Sequence, residues 1–194
     1  LVVSAGALNN LVGVVSYSDF PKEVLSIQNI GDAFKVDFET ILALKPDYVL
    51  SWKGGTPIAI IEKLKLLNIN VLETEINSLS DIPKTINQIA NLTKTHDKAN
   101  LNINLFNQQV SQLTKHSDKK QSIFIETFHQ PLYTVSGSHW MSEAVEVCGY
   151  ANIFLDLSQD SAAVNIEAVI NKNPQAILNI AKQVDLQWQN WQSI

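Results

Sequence analysis

VDFETILALKPDYVLSW, residues 36–52, has a near copy in VNIEAVINKNPQAILNI, residues 164–180. The two segments align without a gap at a constant offset of 128 positions, which is 164 minus 36. Four positions are identical in the two copies: Val36 and Val164, Glu39 and Glu167, Pro46 and Pro174, Leu50 and Leu178. This match indicates that one structural unit occurs twice in the chain.

Each copy carries the signals of a short helix that leads into a buried strand. An Asx residue, Asp37 or Asn165, is suited to cap the helix, and a Glu follows in the first turn. The helix has to stop before a Pro, after which an apolar run begins. The repeat therefore predicts two similar α/β lobes, although two ordinary helix-strand units can also match by coincidence.

Residues 80–118 read as helix almost throughout, with one polar break near residues 93–96. Apolar residues recur at three- and four-residue steps, as on a one-faced helix: Ile82, Ile86, Ile89 and Ala90, then Leu101, Leu105, Val110 and Leu113. The second part, residues 97–117, would be about 30 Å long at about 1.5 Å per residue.

The predicted fold is therefore α/β, with two Rossmann-like lobes joined by a single long α-helix and a ligand cleft between the lobes. The N-terminal lobe comprises residues 1–79 and is expected to be incomplete at its start. The connecting helical backbone comprises residues 80–118. The C-terminal lobe, residues 119–194, is expected to be incomplete at its end.

Composition narrows the range of partners. Hydrophobic residues make up 45% of the 194 residues, which is enough to bury a core, and the net charge of −5 argues against a nucleic-acid partner. All 14 basic residues are Lys, so the bidentate capture of phosphate or carboxylate by Arg is excluded. The one Cys, Cys148, allows no disulfide within this chain.

Aromatic residues follow the predicted strands, where parallel α/β sheets bind ligands beyond the strands' carboxyl ends. The candidates in the first half are Tyr17 after a predicted buried strand at 11–17, Phe34 in a loop, and Trp52 with Lys53 and Gly54. Those in the second half are Phe128, Tyr133, His139 and Trp140. Aromatic faces beside glycines suit a large, flat, largely uncharged ligand, while any single one could instead pack a lobe edge.

Three stretches carry a resemblance to a known family: SYSDFP (16–21), VDFETILALKPDYVLSWKGG (36–55) and PLYTVSGSHWMSEAVEVCGYANIF (131–154). Together they resemble the cobalamin (vitamin B12) binding proteins of bacterial ABC importers. More broadly, the chain is similar to the substrate-binding proteins with a rigid helical backbone, which also carry haem and ferric siderophores.

The resemblance implies a function of capture and delivery, without catalysis and with cobalamin as the ligand. Tyr17, Phe34 and Trp52 would line the corrin face. Glu39 and Glu167 would dock onto the two subunits of a permease dimer, which works with ATPase subunits. The protein would be a monomer in the periplasm or lipid-anchored at the cell surface, with a signal segment that is not in this chain.

Two alternatives stay open. One is a haem or ferric-siderophore carrier of the same family, against which the absence of Arg weighs. The other is a two-lobed metal-dependent enzyme or chelatase, in which Glu126, His129 and His139 would converge on a metal. No nucleophile elbow, phosphate-binding glycine loop, dinucleotide fingerprint or H-E-x-x-H motif occurs, so the sequence predicts no catalytic residue.

Overall fold

The computed structural model describes residues 1–32, 35–114, 120–180 and 188. The chain divides into two compact units. The first unit comprises Leu1–Ile76 and Ser80–Phe106, and the second comprises Asn77–Leu79 and Asn107–Ile194. The predicted three-part division at residues 79 and 118 stays a prediction.

Helices and strands alternate in the first unit, as predicted. The elements are α1 (Phe38–Leu44), β1 (Tyr48–Trp52), α2 (Ile58–Leu66), β2 (Asn70–Thr74), α3 (Asp81–Thr93) and α4 (His96–Leu113), the last of which continues into the second unit. Strands β1 and β2 pair in parallel, from Tyr48 opposite Asn70 to Trp52 opposite Thr74. A core of Ile41, Ile60, Leu64 and Ile69 joins α1 and α2 to this sheet.

The break predicted in the long helical stretch is confirmed. Helix α3 ends at Thr93 and is followed by the cap residue Lys94, whose φ of 58° is left-handed, and α4 starts at His96. Helix α4 has 18 residues and is therefore about 27 Å long. The predicted end of the helix near residue 117 lies outside the described residues. In the described part of the chain, no helix is both long and apolar enough to cross a membrane.

The buried strand predicted at residues 11–17 is wrong. This segment makes only an isolated parallel bridge, between Val14 and Asn29, and Val12 is exposed. Its partner is an irregular loop, so the ladder ends after a few hydrogen bonds. Tyr17 consequently lies on a turn, closed by a hydrogen bond from the N–H of Ser18 to the carbonyl oxygen of Val15.

The second unit is also α/β. Its elements are β3 (Gln121–Glu126), β4 (Tyr133–Val135), α5 (Trp140–Val147), β5 (Tyr150–Asn152), β6 (Ser161–Ala163), α6 (Ile166–Lys172) and β7 (Ala176–Asn179). Strand β3 pairs in parallel with β5 and β7, and β4 pairs antiparallel with β6. Sequence periodicity missed β5 and β6, because three residues are too few to show an alternating pattern.

The repeat is confirmed as local structure. Helices α1 and α6 have seven residues each and start at the predicted caps, Asp37 and Asn165. Both are followed by a left-handed cap residue directly before the Pro, with φ of 48° at Lys45 and 43° at Asn173. The buried residues Ile41 and Val169, which occupy the same position in the two helices, pack each helix against its own core. The α/β fold class predicted from the sequence is therefore confirmed.

Candidate functional site

The turn after β1 presents Trp52. Trp52 is 59% exposed, and the turn is closed by the N–H groups of Gly55 and Thr56, which donate to the Trp52 carbonyl oxygen at 3.1 and 2.8 Å. The hydroxyl oxygen of Thr56 in turn accepts from the Trp52 N–H at 3.1 Å. The backbone on both sides of Trp52 is thus restrained, so the ring has a defined place at the end of the strand.

Gly55 determines where that ring lies. A Cβ atom at Gly55 would be 2.0 Å from Cε3 of Trp52, so the indole occupies the space that any other residue would need. Gly54 differs, since its φ of +84° requires glycine but a Cβ there would meet nothing within 4 Å. Sequence reasoning singled out Gly54, whereas the structure identifies Gly55 as the glycine that positions Trp52.

Lys53 is held in an ion pair. Its Nζ lies 2.7 Å from Oε2 of Glu75, and this hydrogen bond, followed by the charge of Glu75, raises the pKa of Lys53. The ammonium therefore stays protonated, with a carboxylate beside it that offsets its charge. This pair presents a nearly neutral surface beside Trp52, which does not favour a strongly anionic ligand.

Of the two remaining aromatic candidates in the first unit, the structure describes only Tyr17. Tyr17 is 74% exposed. Phe34 lies outside the described residues. Phe20, in the same SYSDFP stretch as Tyr17, is even more exposed and was missed by the sequence reasoning, although the motif that contains it was noted.

In the second unit, a hairpin brings Phe128 and Tyr133 together. The two residues form an antiparallel bridge, with the Tyr133 N–H donating to the Phe128 carbonyl oxygen at 2.9 Å. Phe128 is exposed and Tyr133 is half-buried. The hairpin follows β3 directly, so it carries both rings at the carboxyl end of that strand.

Glu126 forms the base of the hairpin and is fully buried. One carboxylate oxygen lies 3.0 Å from Nδ1 of His129, and the other accepts from Nε1–H of Trp188 at 2.6 Å. A buried carboxylate with both oxygens engaged is a structural group, which holds the hairpin against Trp188. Its role differs from the metal ligand considered in the sequence analysis.

The metal site considered at Glu126, His129 and His139 is not formed. Nδ1 of His139 accepts the N–H of Met141 at 3.2 Å, which makes His139 the cap of α5. Burial lowers the pKa of His139, with the nearby Asp160 charge opposing this, so the neutral cap is favoured. Across residues 1–32, 35–114, 120–180 and 188, no three His, Cys, Asp or Glu side chains are grouped to hold a metal.

His139 and Trp140 form the second aromatic pair of this unit. Their ring centroids are 5.7 Å apart, and both rings are half-buried at the start of α5. The preceding loop is tied down by Ser138, whose hydroxyl donates to Asp160 at 2.7 Å. Of the predicted aromatic residues in this unit, the structure therefore pairs Phe128 with Tyr133 and His139 with Trp140.

Glu39 and Glu167 occupy the second position of α1 and α6, and both are exposed. In the described part of the chain, neither carboxylate forms an ion pair. Next to Glu39, the pKa of Asp37 is lowered, above all by the hydroxyl of Thr40, which donates to its carboxylate at 2.6 Å. Each unit thus presents one exposed Glu at the second position of its copy of the repeated helix.

Known proteins resemble this chain over nearly its whole length. A vitamin B12-binding protein of Pectobacterium atrosepticum is 32% identical over 186 residues, which cover 92% of this chain and 66% of that relative. One from Vibrio cholerae is 28% identical over 197 residues, covering all of this chain and 71% of the relative. The chain thus spans about two thirds of the length of these relatives.

Solved structures of known proteins are also similar to this chain. The periplasmic vitamin B12-binding protein of Vibrio cholerae has a TM-score of 0.84 at 27% identity, covering 99% of this chain and 77% of that one. A periplasmic haem-binding protein of Pseudomonas aeruginosa has a TM-score of 0.82 at 16% identity, covering 95% and 68%, which shows a shared fold only. The periplasmic binding protein family model matches residues 1–188, so the chain belongs to the periplasmic binding protein family.

Proposed function

We propose that this chain is the substrate-binding component of an ABC importer, which binds cobalamin or a related corrinoid and delivers it to a membrane permease. The observation that carries the proposal is the Trp52 turn, where Gly55 leaves room for a largely exposed indole at the end of β1. The similarity to vitamin B12-binding proteins over nearly the whole chain supports it.

The chemistry of the candidate residues suits such a ligand. A corrin presents a broad apolar face, and the exposed aromatic residues Trp52 and Phe128 are suited to contact one. Lys53 is neutralised by Glu75, and the chain has no Arg, so the surface beside Trp52 does not favour a polyanion. Contacts from Tyr17, Phe34, Gly54, Tyr133, His139 and Trp140 complete the proposed set.

The Glu39 and Glu167 carboxylates are proposed to dock onto the permease. Equivalent groups on equivalent helices match a partner made of two similar subunits, and their exposure leaves them available. The permease dimer with its ATPase subunits would be the partner of a monomeric binding protein. By this proposal the protein acts in the periplasm, either free or lipid-anchored.

The test is to mix the full-length protein with cyanocobalamin, remove the free ligand on a desalting column and record the visible spectrum of the protein. About one corrinoid per chain is expected. A colourless protein would refute cobalamin as the ligand.

The same experiment with haemin tests the second candidate. This candidate rests on the shared fold with a periplasmic haem-binding protein. Capture of haemin in preference to cyanocobalamin would replace the proposed ligand by haem.

A further inference from the structure

A buried asparagine organises the loop that leads into α5. Asn152, the last residue of β5, is only 3% exposed. Its Nδ2 donates both to the carbonyl oxygen of Val135 and to Oγ of Ser142, each at 2.8 Å, and its Oδ1 accepts from the N–H of Phe154 at 3.0 Å. Every hydrogen-bonding group of the amide is thus used in joining β4, α5 and β5.

The network continues from Ser142 into the loop. The Ser142 hydroxyl donates to the carbonyl oxygen of Ser136 at 2.6 Å, and the Ser142 N–H donates to the carbonyl oxygen of His139 at 2.9 Å. The same Ser136 oxygen also accepts the His139 N–H at 3.3 Å. Ser136 and Ser142 are buried, so these hydrogen bonds are shielded from water.

This arrangement does more than satisfy buried polar groups. An apolar side chain of similar size at position 152 would fill the same volume, but it would leave the Val135 carbonyl oxygen and the Ser142 hydroxyl without the donor they use. The directional hydrogen bonds define where the backbone of residues 136–139 lies. That backbone in turn sets the positions of the His139 and Trp140 rings.

We propose that Asn152 is a positioning residue for ligand binding, acting through Ser142 to hold His139 and Trp140 in their binding positions. The inference rests on the proposed function, because the two rings are proposed ligand contacts. Asn152 itself, being buried, does not touch the ligand.

The first test compares cyanocobalamin affinity in full-length Asn152→Leu and Ser142→Ala variants with that of the wild type. Ser142→Ala is the milder change, since it removes one hydroxyl and leaves the Asn152 bond to Val135. We expect each variant to bind cyanocobalamin at least about tenfold more weakly, because a displaced ring loses a large part of the binding free energy that its contact contributes. Each affinity is measured well below the melting temperature of the variant, so that only folded protein is compared.

Val169→Ala is the matched control. Val169 is fully buried in the same unit and packs in a core with Phe154, but its side chain makes no hydrogen bond, so the change lowers stability without removing a hydrogen bond of the network. Its affinity should stay within about twofold of the wild type. Wild-type affinity in Ser142→Ala and Asn152→Leu, or an equal loss in Val169→Ala, would overturn the inference.

A double-mutant cycle with Trp140→Ala provides a readout that a purely structural role would not change. If Ser142 acts through the aromatic pair, Ser142→Ala should weaken binding much less in a Trp140→Ala background than in the wild type. Additive losses, or wild-type affinity of Trp140→Ala alone, would contradict the inference. A wild-type protein that captures no cyanocobalamin would refute the proposed function itself, an outcome distinct from each of these.

Discussion

Replacing Gly55 by Ala should displace Trp52 while leaving the fold in place. The added Cβ would start 2.0 Å from Cε3 and 2.4 Å from Cζ3 of the indole, whereas carbon atoms pack at about 3.5–4.0 Å. The ring therefore has to move by about 1.5 Å or more. Because it is largely exposed, it can rotate away at little cost in stability.

The expected loss of affinity follows from the exposed area of the ring. With 59% of the residue exposed and about 250 Å² for a whole Trp, about 150 Å² is available to a ligand. If the ligand covers half of it, at about 25 cal/mol per Å², the contact contributes about 2 kcal/mol. Gly55→Ala should then raise the Kd for cyanocobalamin about thirtyfold.

Gly149→Ala is the control for lost stability, because Gly149 is not among the proposed ligand contacts. It adds the same methyl group, and its φ of +87° makes the change unfavourable for the backbone by about 1 kcal/mol. We therefore expect Gly149→Ala to lower the melting temperature while nearly preserving affinity. Isothermal titration calorimetry and thermal unfolding of both variants measure the two effects.

The reasoning would be refuted if Gly55→Ala bound cyanocobalamin as tightly as the wild type. It would also be refuted if Gly149→Ala lost as much affinity as Gly55→Ala, because the loss would then come from lower stability and not from displacement of Trp52. Only the combination of weak binding in one variant and lower stability in the other supports the proposed role of Trp52.

Two further predictions concern the helix starts. Changing Glu39 and Glu167 together to Gln should abolish cobalamin transport in cells but leave cyanocobalamin affinity unchanged. The control Glu62→Gln, which changes an exposed acidic residue on α2, should affect neither property. Loss of affinity in the double variant would reject the docking role. Asp37→Asn should keep the cap, as Asn165 does for α6, but remove its dependence on pH. The pKa of Asp37 is lowered below its ordinary value of 3.8 in the folded state, so its contribution is present above pH 3.8 and is lost as the pH falls through the lowered pKa. The melting temperature of the wild type should therefore exceed that of Asp37→Asn by more at neutral pH than in acid, and a pH-independent difference would contradict this.

Short-range features of this protein could be predicted from its sequence. The caps, the first-turn Glu and the Pro that follows each helix lie within about ten residues, so their order in the sequence carries the information. Helices α1 and α6 accordingly start at Asp37 and Asn165 as predicted. The break at Lys94 was also visible, because a polar stretch interrupts the apolar spacing there.

Where the sequence-based prediction was wrong or incomplete, backbone pairing with segments elsewhere in the chain determined which residues form strands. Residues 11–17 have the composition of a buried strand, yet their pairing with a neighbouring loop ends after one bridge. Strands β5 and β6 exist because partners elsewhere in the chain accept their hydrogen bonds. Edge contacts of this kind leave no local pattern in a three-residue segment.

The amino-acid sequence by itself determined the repeated helix-strand unit, the α/β class and the position of Trp52 at the end of β1, since these depend on neighbours in the chain. Only the tertiary structure decided that Lys53 pairs with Glu75, that Gly55 lies under Trp52 and that Asn152 ties three elements together. The physical reason is that burial and hydrogen bonding depend on which surfaces meet on folding. The identity of a residue states what it can donate, accept or bury, and the fold selects the partner.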